Sequence, residues 1–330
     1  MSAPAVYQRY RHHLLLMRMS MLTALGLFIS ACSTVTPTTQ APDMPKTEPL
    51  KVALVLGGGG AKGFAHVGVI KALEENGITP TLIVGTSVGS LVGSLYASGY
   101  TSTQLERLAL TTPDSDLTDF VLSNQGFIEG IKLKNFINNK VRGRAIEEFP
   151  ISFAAVAAEK HTLKKAIFTT GDAGLAVQAS CSVPNIFIAP RIPETIGKKY
   201  IDGGVVSLVP VDSARDLGAD IIIAVDVTAS NANNPTSAIN KIPTLNSISS
   251  LWGFLENNIA AQPSTNRALS IRRERDRADI VITPDVGHIS SIDTSQRRAL
   301  ISAGEQATRP QINAIKQLMK QKSESKYATL

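Results

Sequence analysis

Short runs of apolar residues alternate along this chain with segments of helical periodicity. Residues 51–56 and 81–84 are apolar enough for buried strands, and each runs into a glycine-containing turn. Residues 64–76 place apolar side chains at helical spacing, and a small-residue helix is expected over 90–98. Two strand–turn–helix units within about fifty residues indicate a parallel sheet with crossover helices, which is the α/β class.

The rest of the chain continues this pattern. Helices are expected over 103–110, 131–141, 175–181 and 294–320 and from Leu251, and strands over 151–158, 165–169, 221–227 and 279–282. The stretch 228–250 is rich in Asn, Ser and Thr and is interpreted as a loop. Together with 114–127 it is a candidate lid. Because the last strand fits the same sheet, one domain is expected over 50–330, with core motifs at about 52–212 and later elements (251–320) packed on it.

The N-terminus has the pattern of an export signal. Three arginines precede an apolar run over 19–29, which is too short for the ~20 residues that a membrane-spanning helix needs. The tetrapeptide 29–32 (Ile-Ser-Ala-Cys) resembles the bacterial lipobox. That resemblance implies a lipoprotein signal peptide at 1–31 and a lipid anchor on Cys32; the alternative is an ordinary signal with an incidental cysteine.

The segment 32–49 is rich in Thr and Pro and is interpreted as a tether between the anchor and the domain. Met1, Met17 and Met19 are all possible starts. In enteric bacteria an aspartate directly after the lipidated cysteine resembles a signal for retention in the inner membrane. Here the residue at that position is Ser33. We therefore expect anchoring in the outer membrane, facing the periplasm, if the host is Gram-negative.

Composition narrows the classes of function. Of the 330 residues 43% are apolar and 18% charged, so a sizeable core is available. Aromatics at 5% do not favour a nucleic-acid platform, and two cysteines exclude a disulfide scaffold and a four-cysteine zinc site. Residues 1–31 contain three arginines and no carboxylate, so without them the formal charge falls from +6 to +3. No nucleic-acid partner is expected.

A glycine-rich loop follows the first strand. Residues 58–63 fit GxGxxG, the dinucleotide-binding pattern. That function needs an acidic residue near the end of the second strand, and none is there. A phosphate-binding P-loop would need Ser or Thr after Lys62, where Gly63 stands. Convergent backbone N–H groups at a helix N-terminus also stabilise an oxyanion, which is the alternative we favour.

The second strand ends in a GxSxG motif. Gly85, Ser87 and Gly89 lie between a strand and a helix, the setting of a nucleophile elbow. The plain alternative is a glycine-rich turn with a helix-capping serine.

Three residues are candidates for the base that a nucleophilic serine needs. His161 lies in a charged turn, and His288 follows a late strand. Asp202 ends a strand before Gly203 and Gly204 and would point into a cleft. Residue spacing alone leaves all three open.

Taken together, residues 58–63, 85–89 and 202–204 resemble the bacterial patatin-like phospholipases, in that order along the chain. The resemblance extends from about residue 50 to 290 and includes segments 65–69 and 179–184. It implies a three-layer α/β/α fold with a mostly parallel sheet and lipid acyl hydrolysis by a Ser87–Asp202 dyad without histidine. It further implies an oxyanion hole formed by Gly58, Gly59, Gly60 and Lys62.

The chain departs from the family pattern at two positions. Lys62 stands where arginine is more common, and Asn185 follows Pro184 where glycine is usual. Neither belongs to the dyad. The expected substrate is a phospholipid or lysophospholipid, with no cofactor and no metal. A general carboxylesterase or thioesterase of the same mechanism, or a catalytically idle lipid-binding envelope lipoprotein, remain alternatives.

Overall fold

Eight strands form one mixed sheet in the computed structural model, which describes residues 49–121, 123, 125–229, 270–271 and 273–328. The strands are β1 (Val52–Leu56), β2 (Leu82–Thr86), β3 (Ser152–Glu159), β4 (Lys165–Phe168), β5 (Arg191–Ile192), β6 (Lys198–Asp202), β7 (Ile221–Val225) and β8 (Ile280–Ile282). Their order is β5-β6-β3-β2-β1-β7-β8, with β4 beside β3. The pairs among β3, β2, β1, β7 and β8 are parallel, whereas β4, β5 and β6 join antiparallel.

The central strands are buried on both faces, as a sheet with helices on both sides requires. In β1, Leu54 and Leu56 belong to one apolar cluster and Ala53 and Val55 to the other. This continuous burial explains why the sequence shows uninterrupted apolar runs there.

Most of the helices cover one face. In the described residues they are α1 (Phe64–Glu75), α2 (Val88–Ala97), α3 (Ser102–Thr111), α4 (Ile131–Lys140), α5 (Ala173–Ser180), α6 (Val211–Asp216), α7 (Arg297–Thr308) and α8 (Ile312–Ala328). Helices α1 to α5, α7 and α8 contribute to the larger cluster, while α6 packs on the opposite face. The expected mostly parallel α/β fold is confirmed.

Most predicted elements are present within a few residues of their expected ends. The exception is the single helix expected over 294–320, which is wrong. A short 3-10 turn at Arg309–Gln311 separates α7 from α8. Pro310 lies in that turn, and a proline has no N–H with which to continue the α-helical hydrogen bonds.

Several expectations fall outside the described residues. They are the signal peptide (1–31), Cys32, nearly all of the tether (32–49), most of the loop at 228–250 and the start of the helix expected from Leu251. Within the described part of the chain, no helix has the length and apolarity needed to cross a membrane.

Candidate active site

Strands β2 and β6 approach each other along one edge of β3. Thr86 at the end of β2 pairs with Val156, and Asp202 at the end of β6 pairs with the next residue, Ala157. Strand β4 pairs with Ala155 to Ala158 of β3, so β2 and β6 must share the opposite edge. Because β2 runs parallel to β3 and β6 antiparallel, their carboxyl ends meet. The sheet thereby brings Ser87 and Asp202 together across 115 positions of the sequence.

Ser87 has the strained backbone of a sharp strand-to-helix turn. Its φ is 55° and its ψ −129°, a region that non-glycine residues rarely adopt. The Ser87 N–H donates to Ser180 Oγ (2.9 Å), whose hydroxyl donates to the Val156 carbonyl (2.6 Å). A Cβ on Gly89 would stand 2.1 Å from the Leu56 carbonyl oxygen, so the turn passes β1 too closely for any side chain there. The turn therefore combines a strained serine with a position, Gly89, that has no room for a side chain.

Asp202 is a buried carboxylate with one oxygen held by the backbone. Its Oδ1 accepts from the Gly204 N–H (2.7 Å), whereas the buried Oδ2 has no hydrogen-bond partner in the described structure. Burial raises the Asp202 pKa to about 6, because desolvation outweighs two effects that favour the charged form, the nearby Ser87 hydroxyl and the Gly204 N–H. The Ser87 hydroxyl is near the carboxylate but outside normal hydrogen-bond geometry, so Oδ2 remains without a bonded partner. The site thus has a carboxylate whose proton affinity suits a general base near neutral pH.

The N–H groups of the glycine loop are only partly free. The Gly57 N–H donates to Val225 O and the Gly58 N–H to Leu208 O, both at 3.0 Å. No acceptor in the described part of the chain binds the N–H of Gly59 or Gly60. Sequence reasoning assigned the Gly58 amide to an oxyanion hole, but that donor is already used within the fold.

His66 is a residue whose role sequence reasoning missed. It is fully buried in α1, and its Nε2 lies 2.8 Å from the Gly57 carbonyl oxygen, so the imidazole donates to the glycine loop. Burial lowers the His66 pKa to about 4, which keeps the ring neutral. Its adjacency to the glycine motif was the available signal.

The two histidines considered as bases lie elsewhere. His161 and His288 are exposed, and neither lines the cavity that contains Ser87. In the described residues, no group of three or more His, Cys, Asp and Glu side chains could hold a metal ion.

An apolar cavity of about 610 Å³ opens beside Ser87. Its wall comes from α1 to α4 and is mainly aliphatic and aromatic, including Phe64, Val67, Leu91, Leu95, Leu105, Leu108 and Phe136. Cys181 also lines it, and its Sγ lies 3.9 Å from Ser90 Oγ. Burial raises the pKa of the Cys181 thiol, so it stays protonated.

A second cavity of similar volume lies near the ends of α2 and α4, away from Ser87. Its cations include Arg107, Lys140, Arg142 and Arg144. The Arg144 guanidinium donates to the Ser98 and Val141 carbonyls, which lie at the C-terminal ends of α2 and α4. This arrangement accounts for Arg144 as a helix-capping side chain.

The two departures from the family pattern fit their surroundings. Lys62 is 95% buried within the glycine loop. Asn185 has a φ of 66°, in the left-handed region where glycine costs least and asparagine is the next most tolerant residue. The usual glycine at this position therefore has a backbone reason.

Comparisons with known proteins agree with this geometry. Residues 54–215 match the family model described as patatin-like phospholipase. An uncharacterized NTE family protein of Mycobacterium tuberculosis is 34% identical over 189 residues, covering 55% of this chain and 50% of that protein. Lysophospholipase NTE1 of Pyricularia oryzae is 31% identical over 281 residues, covering 79% of this chain and 17% of that protein.

The structure of VipD from Legionella pneumophila is similar with a TM-score of 0.54 at 14% identity, covering 81% of this chain and 68% of that one. At that identity the likeness concerns the fold alone. The chain spans about half the length of the mycobacterial relative it matches.

The fold is of the α/β class, and the matched segment resembles the patatin-like phospholipases. Residues 54–215 of this chain belong to the patatin-like phospholipase family.

Proposed function

We propose that this protein is a lipid acyl hydrolase that cleaves carboxylic esters of phospholipids or lysophospholipids through Ser87 and Asp202. One observation carries the proposal: a serine on a strained turn meets a buried carboxylate with a free oxygen, at the wall of an apolar cavity. A structural serine cap would require neither the strain nor the unpaired carboxylate oxygen.

In acylation, Asp202 Oδ2 accepts the hydroxyl proton of Ser87 as Oγ attacks the ester carbonyl carbon. The carbonyl electrons move onto oxygen and form a tetrahedral oxyanion. When this collapses, the bond to the leaving alcohol breaks, and Asp202 returns its proton to that alcohol. The product is an acyl ester on Ser87.

Deacylation repeats these steps with water. Asp202 takes one proton from water while the resulting hydroxide attacks the acyl carbon. Collapse of the second tetrahedral species breaks the bond to Ser87 Oγ, which regains the proton from Asp202. The fatty acid leaves and the enzyme is restored.

The N–H groups of Gly59 and Gly60 stabilise both oxyanions. They are the loop amides without an acceptor, and they lie at the start of the turn that leads into α1, where the helix dipole adds partial positive charge. Lys62 supplies a further positive charge within the same loop. Gly58 positions the loop through Leu208.

The cavity beside Ser87 favours a substrate with a long acyl chain. Its lining is mainly apolar, and burial of a hydrocarbon chain contributes roughly 0.8 kcal/mol per CH₂. A general carboxylesterase or thioesterase would use the same Ser87 chemistry. A series of esters and thioesters from C4 to C16 separates these alternatives, because only the lipid hydrolase gains strongly with chain length.

The direct test measures fatty-acid release from phospholipid by wild type, Ser87→Ala, Asp202→Asn and Ser94→Ala. We expect losses of roughly 10³-fold or more for the first two variants. Ser94 is a matched control: it is buried in α2, and its hydroxyl donates to the Leu91 carbonyl of its own helix. Equal activity in wild type and Ser87→Ala, or no labelling of Ser87 by a fluorophosphonate, would favour an idle lipid-binding protein.

We also propose that Cys32 carries a lipid that anchors the protein to the outer membrane, with the domain facing the periplasm. The signal-like pattern of 1–31 and the lipobox-like tetrapeptide support this proposal. Labelled palmitate should enter the wild type and not Cys32→Ser, and fractionation should place the labelled protein with outer membranes. Incorporation into Cys32→Ser, or fractionation with the inner membrane, would contradict it.

A further inference from the structure

Three strongly exposed apolar side chains lie on two neighbouring loops. Phe120 is 65% exposed, Phe127 55% and Ile196 86%; we call these three residues the apolar rim. The other large apolar side chain that is exposed in the described residues, Leu163 at 38%, lies in the turn between β3 and β4. A concentration of exposed apolar side chains marks an interaction surface more than scattered single ones do.

The first loop is braced by hydrogen bonds. Phe120 pairs with Ile128 in an antiparallel bridge, and Ile128 pairs with Phe187 in a parallel one. The carboxylate of Asp119 accepts the N–H groups of Gly130 (2.7 Å) and Lys132 (3.1 Å). The backbone thus holds Phe120 and Phe127 at the surface, although burying each would gain hydrophobic free energy.

The second loop is the hairpin of β5 and β6, which is tied to the first. Lys199 Nζ donates to Gln125 Oε1 (2.8 Å), and Lys134 Nζ of α4 pairs with Glu194 (2.7 Å). Ile196 lies in the turn of this hairpin, two residues beyond Glu194. The two contacts place all three rim residues in one region of the surface.

Lysines accompany the rim. Lys132 and Lys199 donate to the Ser115 carbonyl and the Gln125 side chain, and no described carboxylate pairs with either. Of the nearby acids, Glu194 is paired with Lys134 and Asp119 accepts backbone N–H groups. Glu129 is exposed beside Ile128 and is an acid of this loop that opposes the two lysines. Exposed apolar groups beside unpaired lysines suit a surface of lipid tails and anionic headgroups.

The rim is continuous with the active-site cavity, because Phe120 also lines that cavity. We propose that the apolar rim, with Lys132 and Lys199, docks onto an anionic phospholipid bilayer and holds the cavity mouth at the lipid surface. The inference rests on the proposed lipid hydrolysis for its purpose, but the docking can be measured without catalysis. A lipid leaving the bilayer would then pass from the rim toward Ser87.

The test uses the full chain carrying Cys32→Ser, so that no attached lipid contributes. Vesicles of phosphatidylcholine with phosphatidylglycerol (3:1) are sedimented with this protein, with added Phe127→Ser/Ile196→Ser, and with added Leu163→Ser as the matched control. We expect the rim variant to bind vesicles at least tenfold more weakly than the parent protein. The control should bind as strongly as the parent protein. Circular dichroism melting verifies that each variant folds. Unchanged binding by the folded rim variant overturns the proposal.

Two hydrolysis assays separate this inference from the proposed function. The rim variant should lose vesicle-lipid hydrolysis in proportion to binding and keep its hydrolysis of monomeric p-nitrophenyl butyrate, since Phe127 and Ile196 do not line the cavity. Vesicle binding without hydrolysis by the parent protein contradicts the function but not the docking. Hydrolysis of the monomeric ester with no vesicle binding overturns the docking alone.

Two further tests of membrane docking concern the charge of the rim region and self-association of the chain. Lys132→Glu/Lys199→Glu should abolish the preference for phosphatidylglycerol over pure phosphatidylcholine vesicles; a retained preference contradicts the charge contribution. Sedimentation velocity tests whether a second copy of this chain covers the rim. A parent protein that dimerises through the rim and ignores vesicles overturns membrane docking.

Discussion

At the scale of single residues, Asp202 combines two properties that oppose each other. Its burial makes the carboxylate a better base, and the same burial makes the charged form costly to the fold. The sequence marks Asp202 as one of three candidate bases. The extent of burial and the free Oδ2 depend on neighbours distant in the sequence.

The first prediction concerns pH and activity. Because Asp202 must be deprotonated to accept the Ser87 proton, kcat/KM for a monomeric ester should rise with pH through about 6 and then level off. The measurement is a pH–rate profile from pH 4.5 to 8. A rate that is already level at pH 5, as the ordinary aspartate pKa of 3.8 would give, would contradict the role of burial.

The second prediction concerns pH and stability. A carboxyl pKa raised in the fold contributes stability that is present below pH 3.8 and lost as pH rises through about 6. The rise of the Asp202 pKa from 3.8 to about 6 corresponds to about 3 kcal/mol, so Asp202→Asn should be more stable than wild type by about 1–3 kcal/mol at pH 8. The gain should shrink toward pH 4.

Urea unfolding at pH 8 and pH 4 tests this, with Asp216→Asn as the control because Asp216 is exposed at the end of α6. His66 has the opposite effect on the pH dependence of stability. Its lowered pKa makes the free energy of unfolding rise with pH between about 4 and 6.5. In Asp202→Asn, where the Asp202 carboxyl is absent, the free energy of unfolding should therefore increase over that interval. A variant less stable than wild type at pH 8 would refute the argument.

At the scale of elements, helices α2 and α3 shape the cavity beside Ser87. The sequence predicts both helices, over 90–98 and 103–110. The structure adds a capping box at the start of α3, where the Thr101 side chain accepts the Gln104 N–H. The sequence did not predict the cavity, because which faces of two helices leave space between them depends on how they pack.

The third prediction tests that cavity. Ala109 of α3 lines it and is half-buried, so Ala109→Trp should fill part of the space. We expect kcat/KM for C12 to C16 esters to fall at least tenfold relative to the C4 ester, because the longer chains lose their apolar contacts. Thr111→Trp on the same helix is the control, since Thr111 is exposed and lines the other cavity. A uniform loss across chain lengths would contradict the assignment.

At the scale of the whole molecule, residues beyond the matched family segment complete the wall of the cavity beside Ser87. Arg297 of α7 lines the cavity, and its guanidinium donates to the Ala109 and Thr112 carbonyls and pairs with Asp114. Helix α7 also crosses α1 so closely that the two backbones are in contact. A Cβ on Gly304 would stand 2.0 Å from the Ala65 carbonyl oxygen.

The fourth prediction follows from that crossing. Gly304→Ala should separate α7 from α1 and destabilise the protein by roughly 2 kcal/mol or more, because the obstacle is backbone and cannot move alone. Ser302→Ala, exposed on the same helix, should change stability much less. The free energy of unfolding in urea measures both. Equal stability of the two variants would show that the helices can slide apart at little cost.

The sequence by itself determined what depends on neighbours along the chain. Apolar runs identified the central strands, and the motifs around Gly60, Ser87 and Asp202 indicated their chemistry. The tertiary structure decided what depends on distant neighbours: the meeting of β2 and β6 along β3, the use of the Gly58 amide by Leu208, and the bond from His66 to the glycine loop. Hydrogen bonds and burial between residues far apart are set by packing, and no local pattern records which partners will meet.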